Sequence, residues 1–233
     1  MSRYFLFLFL FFAACQPEAM PTLNPDPDPE PDTTSLRYLA LGDSYTIGQS
    51  VPEEERFPVQ FADQLRAGGV EIEAPRIIAV TGWTTANLKN GIENAVLVPD
   101  YDLVSLLIGV NNQYQGKSID EYEIEFDQLL DSAIHYAGGA PEKVFVLSIP
   151  DYAYTPFGQS RPDPAAISAE LDAFNAINKS LTESRGILYF NITPISRLGL
   201  AQPELVASDN LHPSGEQYRR WVEVFYEEVK SRL

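Results

Sequence analysis

Three short stretches hold residue types that could work together on a carbonyl carbon. Gly42-Asp43-Ser44 sets a serine hydroxyl just after an apolar run, where glycine lets the backbone turn sharply. Gly109-Val110-Asn111-Asn112 follows another apolar run and supplies side-chain amides. Asp209-Asn210-Leu211-His212 places a carboxylate three residues ahead of an imidazole. A serine hydroxyl is a weak nucleophile until a base takes its proton. An Asp that accepts the imidazole Nδ1–H leaves Nε2 to face that hydroxyl, and amide N–H groups can meet the charge developing on the attacked oxygen. Each stretch has an ordinary reading too, because Gly-Asp-Ser is turn chemistry and an Asn after a strand can cap a helix. Serine, base, orienting carboxylate and amide donors together point to nucleophilic catalysis.

These stretches need elements to position them. Nearly continuous aliphatic runs at 36–41, 77–80, 103–108, 144–149 and 187–190 read as strands buried on both faces. Between them, helical spacing is found at 57–67, 85–97, 119–137 and 167–183, with a last helix at 215–231. Strands alternating with helices predict an α/β fold around a central five-stranded parallel sheet. In such sheets chemistry gathers beyond the carboxyl ends of the strands, where Ser44 and Asn111 fall. Ser214 and Gln217 have the spacing of a capping box, which would fix the loop carrying His212. His135, between Ile134 and Tyr136 on a helix, has no carboxylate partner of that kind and is expected to be a surface or groove residue with no catalytic task. Tyr45, Tyr114, Tyr152, Tyr154 and Phe157 follow strand ends and could line a pocket or simply pack.

Composition narrows the function further. The 233 residues are 45% hydrophobic and 21% charged, as in globular proteins, with a net charge of −17. That acidity argues against a nucleic-acid partner, which needs a basic surface. One cysteine rules out an internal disulfide framework, and two histidines leave little material for zinc. The acids of 119–137 mostly lie off the apolar stripe and read as a solvated face rather than a metal site.

Gly42-Asp43-Ser44, Gly82, Gly109-x-Asn111 and Asp209-x-x-His212, in that order, resemble the four blocks of the SGNH (GDSL-like) hydrolases. The blocks run from Gly42 to Pro213, so the resemblance covers essentially the whole of 35–233. It implies a flavodoxin-like three-layer α/β/α sandwich and serine esterase chemistry on acyl or acetyl esters of lipids or glycans, with no metal or other cofactor. By that correspondence Ser44 is the nucleophile, His212 the base and Asp209 its orienting carboxylate. Ser44, Gly82 and Asn111 would supply the oxyanion hole. Asn112 departs from the family pattern, which usually has Asp there. The alternative is a non-catalytic ligand- or glycan-binding surface protein on the same fold.

The N-terminus reads differently from the rest. Arg3 precedes an unbroken apolar run from Phe5 to Ala14, too short to span a bilayer, as in a secretory signal. Phe12-Ala13-Ala14-Cys15 resembles a bacterial lipobox, with Phe replacing the usual aliphatic residue. Cys15 would then be the lipidation site. Six prolines and five acids between Gln16 and Thr34 cannot build a core and read as an extended spacer. The expected organisation is a signal peptide at 1–14, an anchor and linker at 15–34, and a hydrolase domain at 35–233. The membrane would be a partner through the lipid, and the location the bacterial cell envelope.

Overall fold

A computed structural model describes residues 35–233. The signal run, Cys15 and the acidic linker lie outside the described residues. Five strands, β1 (Tyr38–Gly42), β2 (Arg76–Ala79), β3 (Leu103–Leu107), β4 (Val144–Leu147) and β5 (Leu188–Phe190), form one sheet in the order β2-β1-β3-β4-β5. Every pairing is parallel. This is the flavodoxin-like order, whose direction of winding reverses between β1 and β3 and opens a crevice there.

The helices are α1 (Ser44–Ile47), α2 (Phe57–Ala67), α3 (Thr85–Asn94), α4 (Val110–Tyr114), α5 (Ile119–Tyr136), α6 (Pro156–Gln159), α7 (Pro164–Ser184), α8 (Thr193–Ser196) and α9 (Gly215–Lys230). Every residue of β1, β3 and β4 is buried, so both faces of the central sheet are covered. On one face α2 packs on α9, and Phe61, Phe145 and Phe225 meet with ring centroids 5.0–5.9 Å apart. Elsewhere α5 packs against α3 and α7, where Tyr122 and Phe174 lie 4.6 Å apart.

The five long helices match the periodic segments closely. Helix α7 begins earlier than its apolar spacing indicates, at Pro164, because the Asp163 side chain caps the Ala166 N–H and proline suits the first turn. The short helices α1, α4, α6 and α8 carry no readable periodicity, since four or five residues barely exceed one turn.

Gly42 closes β1 against β3. A Cβ there would press into the Leu107 carbonyl oxygen and the Thr46 side chain. Gly42→Ala is therefore expected to lower stability by about 1–3 kcal/mol through overpacking, read as a fall in the denaturant midpoint. An unchanged midpoint would contradict this packing.

Candidate active site

Ser44 is the first residue of α1, two residues beyond the end of β1. The Asp43 side chain accepts the Tyr45 N–H at 3.0 Å, and its carbonyl accepts Thr46 and Ile47, which fixes the turn. Burial pushes the Asp43 carboxyl up to about 7, against the opposing pull of the Tyr45 N–H. Gly48 ends the helix at φ 70°. Beyond it, Ser50 also has a positive φ, of 70°.

His212 comes from the other end of the chain and is 7% exposed. Its loop is pinned by an antiparallel bridge between Val206 and Pro213 and by the Ala207 N–H on the His212 carbonyl at 2.8 Å. The Asp209 carboxylate fills all four of its acceptor positions. Oδ1 takes the Leu211 and His212 backbone N–H groups, both at 2.9 Å. Oδ2 takes the His212 Nδ1 and the Ser50 hydroxyl, both at 2.6 Å. Burial alone would raise the Asp209 pKa, but these hydrogen bonds outweigh it and bring the value down to about 2. An ionised carboxylate only accepts, so Nδ1 carries the hydrogen, and in the neutral imidazole the lone pair is then on Nε2. Only half of the expected capping box forms at α9. The Ser214 hydroxyl accepts the Gln217 N–H at 3.3 Å, but the Gln217 side chain turns to the Leu205 carbonyl at 2.7 Å. The Ser214 N–H uses that same carbonyl, so Leu205 ties helix to loop more directly than a reciprocal box would.

The two asparagines after β3 separate cleanly. Gly109 has φ 132°, and this turn sends Asn111 toward the crevice and Asn112 into the protein. Asn111 Nδ2 donates to the Trp83 carbonyl at 3.0 Å, which holds the amide and leaves its second N–H available. Asn112 is buried and grips the start of α3: its Oδ1 accepts the Thr85 N–H at 3.0 Å and its Nδ2 donates to Thr85 Oγ1 at 2.6 Å. The Thr85 hydroxyl then donates to Glu125. An aspartate at 112 could accept from both Thr85 groups. Asparagine instead reverses the hydroxyl and sends its hydrogen to Glu125. Gly82, at φ 84°, lies in the turn between β2 and α3 and is not among the residues lining the cleft. Among the described residues the Ser44 and Gly82 N–H groups make no hydrogen bond.

Ser44, Asn111 and His212 line one cleft of about 500 Å³. Tyr45, Tyr114, Tyr152 and Phe157 wall it, and the Tyr45 ring lies 5.5 Å from the His212 ring. Among the described residues the Ser44 hydroxyl makes no hydrogen bond to His212, a contact often loose in a free enzyme. Tyr154 is elsewhere, stacked under Arg197. His135 is exposed in the last turn of α5, on the side where β4 begins and thus away from the cleft.

A family model described as the GDSL-like lipase/acylhydrolase family matches residues 40–220. The chain belongs to that family. It is accordingly a serine hydrolase of carboxylic esters. No curated protein matches its sequence. A lipase/acylhydrolase from Enterococcus faecalis is 20% identical, with TM-score 0.64 over 85% of this chain and 97% of that one. An acetylxylan esterase from Geobacillus stearothermophilus, also 20% identical, gives 0.63 over 84% and 95%. A psychrotrophic esterase from Pseudoalteromonas sp. gives 0.60 at 16% identity over 84% and 97%. These likenesses establish the shared fold.

Ser50 is the participant in this GDSL-like site that sequence patterns miss, being 159 residues from Asp209. The Asp209 carboxyl titrates near 2 when folded and near 3.8 ordinarily. Its ionisation therefore favours the fold above about pH 3.8, and that contribution is lost as pH falls to about 2. Ser50→Ala removes one donor and is expected to cost under about 1 kcal/mol at pH 7. Thermal melts across pH should show the difference shrinking between pH 3.8 and 2. A gap that is constant or widens in acid would contradict this.

Proposed function

We propose that Ser44, His212 and Asp209 act as nucleophile, general base and orienting carboxylate in the hydrolysis of carboxylic esters through an acyl-enzyme. The observation that carries the reading is the Asp209 carboxylate seated on His212 Nδ1 while His212 faces the same cleft as Ser44. Ser44 Oγ attacks the ester carbonyl carbon and His212 Nε2 takes the hydroxyl proton. The resulting oxyanion is met by the Ser44 and Gly82 N–H groups and the free N–H of Asn111. Collapse breaks the bond to the alkoxy oxygen, which leaves with the proton from Nε2. Water then attacks the acyl-enzyme, again giving its proton to Nε2, and the acid departs as Ser44 recovers its hydrogen. The imidazole must be neutral to accept a proton, so the rate should fall in acid.

The cleft is lined mainly by apolar side chains with a few polar groups, as small-molecule sites are. Its aromatic and aliphatic wall suits the acyl group of a lipid or an acetyl group on a glycan, and the related folds include a lipase/acylhydrolase and an acetylxylan esterase. The signal-like run ahead of Cys15 supports a lipoprotein of the bacterial cell envelope, with residues 15–34 as anchor and spacer and 35–233 as the hydrolase domain. Cys15→Ala is expected to move the protein from the detergent phase to the aqueous phase on partitioning, with activity on a soluble ester retained. Unchanged partitioning would contradict the anchor.

Steady-state hydrolysis tests the residue roles. His212→Gln should lower kcat by roughly 10⁴ or more, and His135→Gln should stay within about threefold. Asn111→Ala should lower kcat by roughly 10²–10³ with less effect on KM. Asn112→Ala should spare most of the rate and instead cost about 1–3 kcal/mol of stability by orphaning the Thr85 N–H. A dead His135 variant, or a larger rate loss at Asn112 than at Asn111, would overturn the assignment.

A further inference from the structure

Tyr114, Tyr152 and Phe157 form a triangle of rings on the cleft wall, with centroids 6.1–6.3 Å apart. The exposed Arg161 lies over it, its guanidinium carbon 5.4 Å from the Tyr114 centroid and 5.8 Å from that of Phe157. Among the described residues it is the only cation stacked on rings that line the cleft. Stacking engages the face of a guanidinium and leaves its in-plane N–H donors free. Among the described residues no carboxylate pairs with those donors. Glu170 accepts from Gln113, and Asp163 caps α7. Arg66, Lys143, Arg185, Arg197 and Arg219 pair with carboxylates, whereas Arg161, like Arg37, Arg56, Arg76, Lys89 and Lys230, forms no ion pair among the described residues. What sets Arg161 apart is its place over the cleft rings. In a chain of net charge −17, an exposed guanidinium stacked on two rings of the cleft wall is a local reversal of sign.

We propose that Arg161 is a specificity residue that recognises an anionic group, carboxylate or phosphate, on the alcohol portion of the ester. The inference rests on the cleft being the site of ester hydrolysis. The anion falls on the alcohol rather than the acyl side because Val110, Leu211 and the rings make the cleft apolar. A charge enclosed there would lose its solvation. At the mouth it stays in water and meets the in-plane N–H pair, which matches a carboxylate or phosphate in bidentate geometry. The substrate class is then an acyl ester of an acidic alcohol. An acidic sugar and a phosphate-bearing glycerol are two sources of the same chemistry.

The test uses three aryl acetates of similar size: neutral methyl 4-acetoxybenzoate, 4-acetoxybenzoate, and 4-acetoxyphenyl phosphate. Arg161→Gln is expected to lower kcat/KM for one or both anionic esters about tenfold, mainly through KM, while the neutral ester stays within about threefold. Arg161→Lys should retain part of the preference, and added salt should erode it in the native protein. Loss with 4-acetoxybenzoate alone favours an acidic sugar, and loss with the phosphate alone favours a phosphorylated alcohol. Equal losses on all three esters would make Arg161 a prop for the rings, and no loss on either anion would make it a bystander. Both results overturn the inference. If the native protein hydrolyses none of the three, neutral ester included, the failure lies in the assignment of the cleft itself.

Discussion

The site depends on one carboxylate with no acceptor position to spare. Asp209 binds two backbone N–H groups of its own loop, the imidazole it orients, and a hydroxyl from the turn after α1. The backbone bonds fix the carboxylate in its loop, the imidazole bond sets the tautomer, and the Ser50 bond joins that loop to the segment carrying Ser44. Two segments 159 residues apart are thereby joined by a side-chain contact at 2.6 Å, in addition to the packing of α2 on α9. Each donor also lowers the energy of the charged form, so the group stays ionised as an acceptor must.

The sheet supplies the other half of the geometry. Winding reverses between β1 and β3, so the turns beyond Gly42 and Leu107 face each other across a crevice. The loop from β2 joins them through two adjacent asparagines. Asn112 holds the first turn of α3 from inside, and Asn111 holds the Trp83 carbonyl from the cleft. The residue that departs from the family pattern thus serves the loop that positions its neighbour, and asparagine performs this with a donor where aspartate has none.

Much of this was legible in the sequence. The strands showed because parallel strands buried on both faces are short aliphatic runs, and the five long helices showed through their apolar spacing. Ser44, Asn111 and the Asp209–His212 pair were legible because each follows a strand or precedes a helix at a fixed offset. The rest depends on contacts between distant segments. Nothing near Ser50 marks it as a donor to Asp209, and Thr85 stands 27 residues from Asn112. Gln217 has the spacing of a capping box, yet the Leu205 carbonyl offers its amide a better partner in the folded chain. Arg161 reads as a surface charge until the rings of Tyr114 and Phe157 are brought beneath it.

The central claim is that the Ser44 hydroxyl is the group that becomes covalently acylated. Treating the intact protein with a fluorophosphonate ester and locating the adduct by peptide mass spectrometry tests it directly. The account predicts a single stoichiometric adduct on the peptide carrying Ser44, with loss of esterase activity in proportion to labelling and no adduct in Ser44→Ala. Labelling at another serine, Ser50 included, or full inactivation with Ser44 unmodified, would contradict it.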